Sequence, residues 1–144
     1  MDHLETLFPA LGGSAYVITS PADDRYNCIA WAAHVDERWW WPDEDSYWPE
    51  GAPREESIAA FVAAYGELGF VSCDNPLLEP DYEKVAIYAA PDGMPTHVAR
   101  QLPSGLWTSK LGQLQDIQHQ LEDLAGPVYG SCARFLKRER PLAD

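Results

Sequence analysis

The hydrophobic pattern changes period along the chain. Ile58, Phe61, Val62, Tyr65 and Leu68 recur three and four residues apart, which lays them on one face of a helix, and Gly69 follows where a helix can end. This spacing predicts a helix over residues 54–68 whose apolar stripe enters the core. Upstream, residues 3–8 predict a short helix ended by Pro9 and Gly12-Gly13, and Tyr16 to Thr19 a short extended piece. Asn27 is a good N-cap, and nothing from Cys28 to Val35 breaks the helix it opens. Beyond residue 69 the pattern becomes that of strands. Residues 70–73 come first, and a proline-rich connection occupies 74–81. KVAIYA (84–89), THVARQL (96–102) and LWTSK (106–110) then follow, separated by the turns Pro91-Asp92-Gly93 and Pro103-Ser104-Gly105. Leu114, Ile117, Leu121 and Leu124 return to helical spacing and predict a helix closed by Gly126-Pro127, before a last strand within 128–137. Helices followed by an antiparallel meander predict an α+β fold, with N-terminal helices packed on a C-terminal antiparallel β-sheet. A chain of 144 residues suits a single domain over 1–144.

Residues 36–53 fit neither period. Trp39, Trp40, Trp41, Tyr47 and Trp48 stand among acids, prolines and a glycine, which predicts a long irregular loop. Such a loop either covers the core or walls a substrate groove, and the sequence leaves both open. Twenty-three acidic against ten basic residues give a formal charge of −13, which argues against a nucleic-acid partner because phosphate binding needs clustered Lys and Arg. The basic run Lys137 to Arg140 reads as a solvated strand end. No apolar run is long enough to predict a membrane span, and the acidic start shows no signal-peptide pattern. Three cysteines without disulfide spacing then fit reduced thiols, and the expected location is cytoplasmic.

Cys28 follows the cap residue directly. Unpaired N–H groups at a helix start favour a thiolate, and such placements can bring a cysteine pKa down to roughly 3.5–7.5. The competing reading is a small packed thiol. Among the histidines, His34 lies two turns along the same helix, out of reach of Cys28. His97 begins a strand just after a turn, where its side chain can leave the sheet edge, and His119 falls on the expected helix over 114–124. A cysteine on a helix tip and a histidine on a remote strand make the layout of a Cys–His dyad. A metal site from Cys28, His97, Asp116 and His119 has no supporting ligand spacing, and no glycine-rich phosphate loop is present, so neither metal nor cofactor is expected.

The stretches YNCIAWA, PTHVARQLPSGLWTSKLG and DIQH, in this order, resemble the papain-like fold, in particular its compact NlpC/P60-like branch. More narrowly, they resemble a family of small bacterial proteins regarded as cysteine-peptidase-like. The resemblance spans about residues 26–138. It implies that Cys28 is the nucleophile, that His97 is its base, and that the orienting position on the following strand is Ser109. NlpC/P60-like enzymes more often carry His, Asn, Asp or Gln at that position. Lys110, Asp116 and His119 stand near enough in sequence to serve instead, and the choice stays open. Around the nucleophile, the frequent D-C-S-G is here Asn27-Cys28-Ile29-Ala30, so the substrate does not carry over.

The implied chemistry is acyl transfer through a thiolate, with a peptide, a peptidoglycan-like compound or a protein as substrate. The oxyanion donors expected are the Cys28 backbone N–H together with the side chain of Asn27 or Tyr26. Trp39, Trp40, Trp41 and Trp48 are expected to line the groove. The alternative is an inactive papain-like binding or accessory module whose Trp-rich acidic loop recognises a protein partner.

Overall fold

A computed structural model describes residues 3–140. Its frame is one antiparallel sheet of seven strands in the order β1-β6-β5-β4-β3-β7-β2. The strands are β1 (Val17–Ser20), β2 (Val71–Cys73), β3 (Tyr82–Ala89), β4 (Pro95–Gln101), β5 (Trp107–Lys110), β6 (Asp116–His119) and β7 (Ser131–Glu139). With helices α1 (His3–Leu7), α2 (Cys28–Ala32) and α3 (Ile58–Gly66), this is an α+β architecture. The short strands β1 and β2, which precede β3 in the chain, close the two edges of the sheet.

Both faces of the sheet are covered. On one, Val85, Ile87, Val98 and Leu136 meet α2, α3 and the aromatic loop through Ile29, Phe61, Tyr65, Trp40 and Trp48. On the other, Ala86, Tyr88, Ala99, Trp107 and Ile117 meet the N-terminal Leu4, Phe8 and Leu11. Double coverage explains why β3 is apolar along most of its length, where a half-exposed strand would alternate.

The helices are shorter than their apolar spacing predicts. α3 starts at Ile58 because Ser57 caps it, its hydroxyl accepting from the Ala60 N–H at 3.1 Å, and Gly69 follows the end with φ +95°. α2 has one and a half turns and its own cap, Asn27, whose Oδ1 accepts from the Ala30 N–H. The helix expected over 114–124 does not form. Residues 111–115 turn the chain, with Gly112 at φ +62°, so that Asp116–His119 pairs with β5, and Leu121–Leu124 is a 3-10 turn. The four apolar residues at helical spacing thus belong to three different local structures.

The basic run at the end of β7 is not a solvated strand end. Lys137 pairs with Glu79 at 3.1 Å and Arg138 with the buried Glu83 at 3.0 Å, while Arg140 Nη2 donates to the Tyr82 carbonyl. Glu83 also meets His34 Nε2 at 2.8 Å. Burial works against the Glu83 carboxylate, but hydrogen bonds from His34 and Arg138 hold its pKa below the usual value. No helix among the described residues is long and apolar enough to cross a membrane.

Candidate active site

Antiparallel pairing between β4 and β5 stops early. Arg100 pairs with Thr108 and Gln101 with Trp107, whereas β4 stays paired with β3 as far as Pro95 and β5 with β6 as far as Lys110. The sheet therefore opens between residues 97–98 and 109–110, and the start of α2 packs over the opening. There the backbone of Val98, next in sequence to His97, acts on the Cys28 thiol in favour of its charged form.

Side chains bridge the opening on the opposite face. His97 Nε2 lies 2.9 Å from Ser109 Oγ, Ser109 Oγ lies 2.7 Å from His119 Nε2, and His119 Nδ1 lies 2.7 Å from the Gln120 carbonyl. All three side chains are buried. Burial lowers both imidazole pKa values, His119 to about 4 and His97 well below its ordinary value, with the His119 charge as the second cause at His97. At neutral pH both rings are therefore uncharged, and the proton positions follow by elimination. A carbonyl only accepts, so His119 carries its proton on Nδ1 and accepts at Nε2 from the Ser109 hydroxyl. That hydroxyl has one proton, so it accepts from His97 Nε2–H. His97 Nδ1 is left as a bare lone pair, buried and without a hydrogen-bond partner.

Of the residues expected near the orienting position, Ser109 contacts His97, and His119 contacts Ser109 from β6, a strand rather than the expected helix. Lys110 and Asp116 point to the other face, because successive residues of a strand alternate sides. Lys110 donates to the carbonyls of Gly112 and Leu114, both at 2.6 Å, and Asp116 accepts from the Tyr26 hydroxyl at 2.7 Å.

Several expected features are corrected. His97 does not project from a sheet edge; it is 0% exposed in the middle of β4. Cys28 is 6% exposed, and burial pushes its thiol up to about 11, although backbone hydrogen bonds from Val98, Ile29 and Cys28 and the Lys110 charge act the other way. A helix of five residues is too short for its dipole to offset this desolvation. The resting thiol is protonated rather than a thiolate. No hydrogen bond joins Cys28 to His97.

Asn27 and Tyr26 are not available as oxyanion donors. Asn27 Nδ2 donates to the Trp40 carbonyl at 2.6 Å while its Oδ1 accepts from Ala30 and Trp40, and the Tyr26 proton goes to Asp116. Trp40 and Trp48 are core residues; Trp48 donates to the Pro53 carbonyl and packs on Phe61, with ring centres 5.3 Å apart. Trp39 and Trp41 do line a groove of about 320 Å³, together with Asn27, Cys28, Asp43, Thr96, Gly112 and Tyr129. Among the described residues no group of three or more His, Cys, Asp or Glu side chains is placed to hold a metal ion.

Sequence reasoning missed Tyr129, which stacks on His97 with ring centres 4.1 Å apart and 12° between planes. Its place between Gly126 and Gly130 was the available signal. These glycines exchange two backbone hydrogen bonds of 2.8 Å and so pinch the segment into a tight loop.

Residues 17–137 match the family model described as Domain of unknown function (DUF7689). No curated protein and no solved structure matches the chain.

Proposed function

The chain belongs to the DUF7689 family of domains of unknown function, and we propose that it is a cysteine hydrolase or acyltransferase of papain-like, NlpC/P60-like type, with Cys28 as nucleophile and His97 Nδ1 as base. One observation carries this reading: a buried imidazole lone pair has no partner, while three hydrogen bonds in series hold the proton on the far side of its ring. A buried acceptor left unpaired is costly and calls for an explanation, and a catalytic role supplies one for His97. His97 is next in sequence to Val98, whose backbone acts on the Cys28 thiol, and the thiol lines an apolar groove. The order of a cysteine on a helix tip, a histidine on a strand and a hydroxyl on the next strand supports the papain-like assignment.

With both groups neutral at rest, the thiolate forms only during attack. As sulfur bonds to the acyl carbon, its proton passes through the opening between β4 and β5 to Nδ1, and Ser109 holds the resulting imidazolium by accepting from Nε2–H. The imidazolium gives the proton to the leaving group, and water then hydrolyses the thioester with His97 again as base. Catalytic hydrogen bonds often shorten only once substrate is bound, which accommodates the unbonded Cys28 and His97. The Trp39 and Trp41 walls suit an apolar acyl segment of a peptide, peptidoglycan-like or protein substrate, in a cytoplasmic setting.

The test uses p-nitrophenyl acetate, a small aromatic ester. Release of p-nitrophenol is expected with an acetyl group mapped to Cys28, and Cys28→Ala and His97→Asn are each expected to lose at least about 100-fold in rate. Acetylation of Cys28 no faster than that of Cys73 in the unfolded chain refutes the enzyme reading. The groove would then serve the second reading, a docking site for a protein partner, which the 6% exposure of the thiol favours.

A further inference from the structure

We propose that Tyr129 is a catalytic residue of this site: its phenol donates a hydrogen bond to the carbonyl oxygen as negative charge develops there, while its ring fixes the plane of the base. The inference rests on the cysteine-hydrolase reading and deepens it.

Acyl transfer of this kind needs two donors for the oxyanion, and the N–H at the start of α2 supplies one. Asn27 and Tyr26 are both engaged within the framework. Of the hydroxyls lining the groove, that of Thr96 is also committed, donating to the Tyr129 carbonyl at 2.5 Å. The Tyr129 hydroxyl remains. It donates to no other described residue, and it lies within electrostatic reach of the Cys28 thiol across the groove. Burial, with the Cys28 charge behind it, raises the phenol pKa, so the group stays a donor throughout the working pH range.

The loop that carries Tyr129 is held from three sides. Gly126 and Gly130 close it by reciprocal backbone bonds, and Thr96 ties the Tyr129 carbonyl to β4. Gly130 has φ +78° and presses so closely on β3 that a Cβ there would fall 2.0 Å from the Ala89 carbonyl oxygen. The tyrosine ring, seated this firmly, stacks on one face of His97, and Tyr88 meets the same imidazole edge-on with centres 5.2 Å apart. One side chain thus touches the base and lies within electrostatic reach of the nucleophile.

In the proposed step the S–C bond forms, the thiol proton goes to His97 Nδ1, and the carbonyl π electrons move onto oxygen. Tyr129 keeps its proton and donates a hydrogen bond to that oxygen. Collapse of the intermediate re-forms the carbonyl and expels the leaving group, so nothing is oxidised or reduced.

Tyr129→Phe removes the donor and leaves the stack. The comparison is between acetylation of Cys28 by p-nitrophenyl acetate, which passes through an oxyanion, and its alkylation by iodoacetamide at alkaline pH, which does not. Acetylation is expected to slow about 10²–10³-fold, with alkylation within about twofold of the parent. Tyr129→Leu removes the stack as well and is expected to shift the acid limb of the rate profile, which Tyr129→Phe leaves in place. Equal acetylation by the parent and Tyr129→Phe overturns the proposal while leaving the hydrolase reading intact, as does a parallel fall in alkylation. A parent that does not acetylate Cys28 overturns both.

Discussion

Replacing Ser109 by alanine tests the hydrogen-bond series at its middle. The serine is fully buried and serves two partners at once, accepting from His97 Nε2–H at 2.9 Å and donating to His119 Nε2 at 2.7 Å. Alanine keeps the backbone and Cβ but strands one buried donor and one buried acceptor. Each costs about 1–3 kcal/mol, so the expected loss is about 2–6 kcal/mol, a large part of the stability of an ordinary domain. Thr108→Ala is the control on the adjacent residue: its hydroxyl accepts one bond, from Trp31 Nε1 at 3.0 Å on the other face of the sheet, and its loss should cost about 1 kcal/mol. Urea unfolding followed by tryptophan fluorescence gives both values if the dependence on urea is unchanged between variants. A Ser109→Ala protein within about 0.5 kcal/mol of the parent refutes the buried series as described.

Two further outcomes concern the same frame. His119 has its pKa lowered from 6.5 to about 4 on folding, so between these values the unfolded chain binds the proton more tightly; this stability is complete above about pH 6.5 and lost as pH falls towards 4. At about 1.4 kcal/mol per pH unit the gap amounts to roughly 3 kcal/mol, and urea titrations across this range should show the loss smaller by about that amount in His119→Gln, where the share of the buried His97 remains. Gly130→Ala is expected to destabilise the fold by about 1–3 kcal/mol, because the clash is with β3 backbone and φ is positive, whereas Gly66→Ala, with open space beside it at the end of α3, should stabilise by up to about 1 kcal/mol. Thermal unfolding of the two variants, read together, separates the steric effect from the propensity effect.

Strand and turn chemistry in the second half was largely legible. KVAIYA, THVARQL and LWTSK became β3, β4 and β5 within a residue or two, because β-branched and aromatic residues between Pro-Gly turns admit few other structures. The stretch after Lys110 departs from its helical spacing for an identifiable reason. Leu114, Ile117, Leu121 and Leu124 satisfy a helical period although only Ile117 lies in a strand, and the turn at Gly112 that breaks the pattern is a single residue. In the aromatic loop, composition could not say which tryptophans turn inward. That depended on Asn27, whose side chain pins the backbone of Trp40 by two hydrogen bonds and leaves Trp39 and Trp41 on the groove. Pairing of Ser109 with His97 followed from the PSG hairpin. The addition of His119 did not, because it required β6 to be a strand in register beside β5. The Cys28 thiol shows local sequence at its weakest: a capped helix start predicts a lowered pKa, and tertiary burial reverses the sign.

The most direct test of the account is the protonation of His97 in the folded protein, read by ¹⁵N NMR of the imidazole nitrogens at neutral pH with His97→Gln to assign the signals. A neutral ring is expected, with its proton on Nε2, Nδ1 bare, and both unchanged well below pH 6.5. A proton on Nδ1, or a ring charged at neutral pH, contradicts the series through Ser109 and His119 and removes the base on which the proposed chemistry depends.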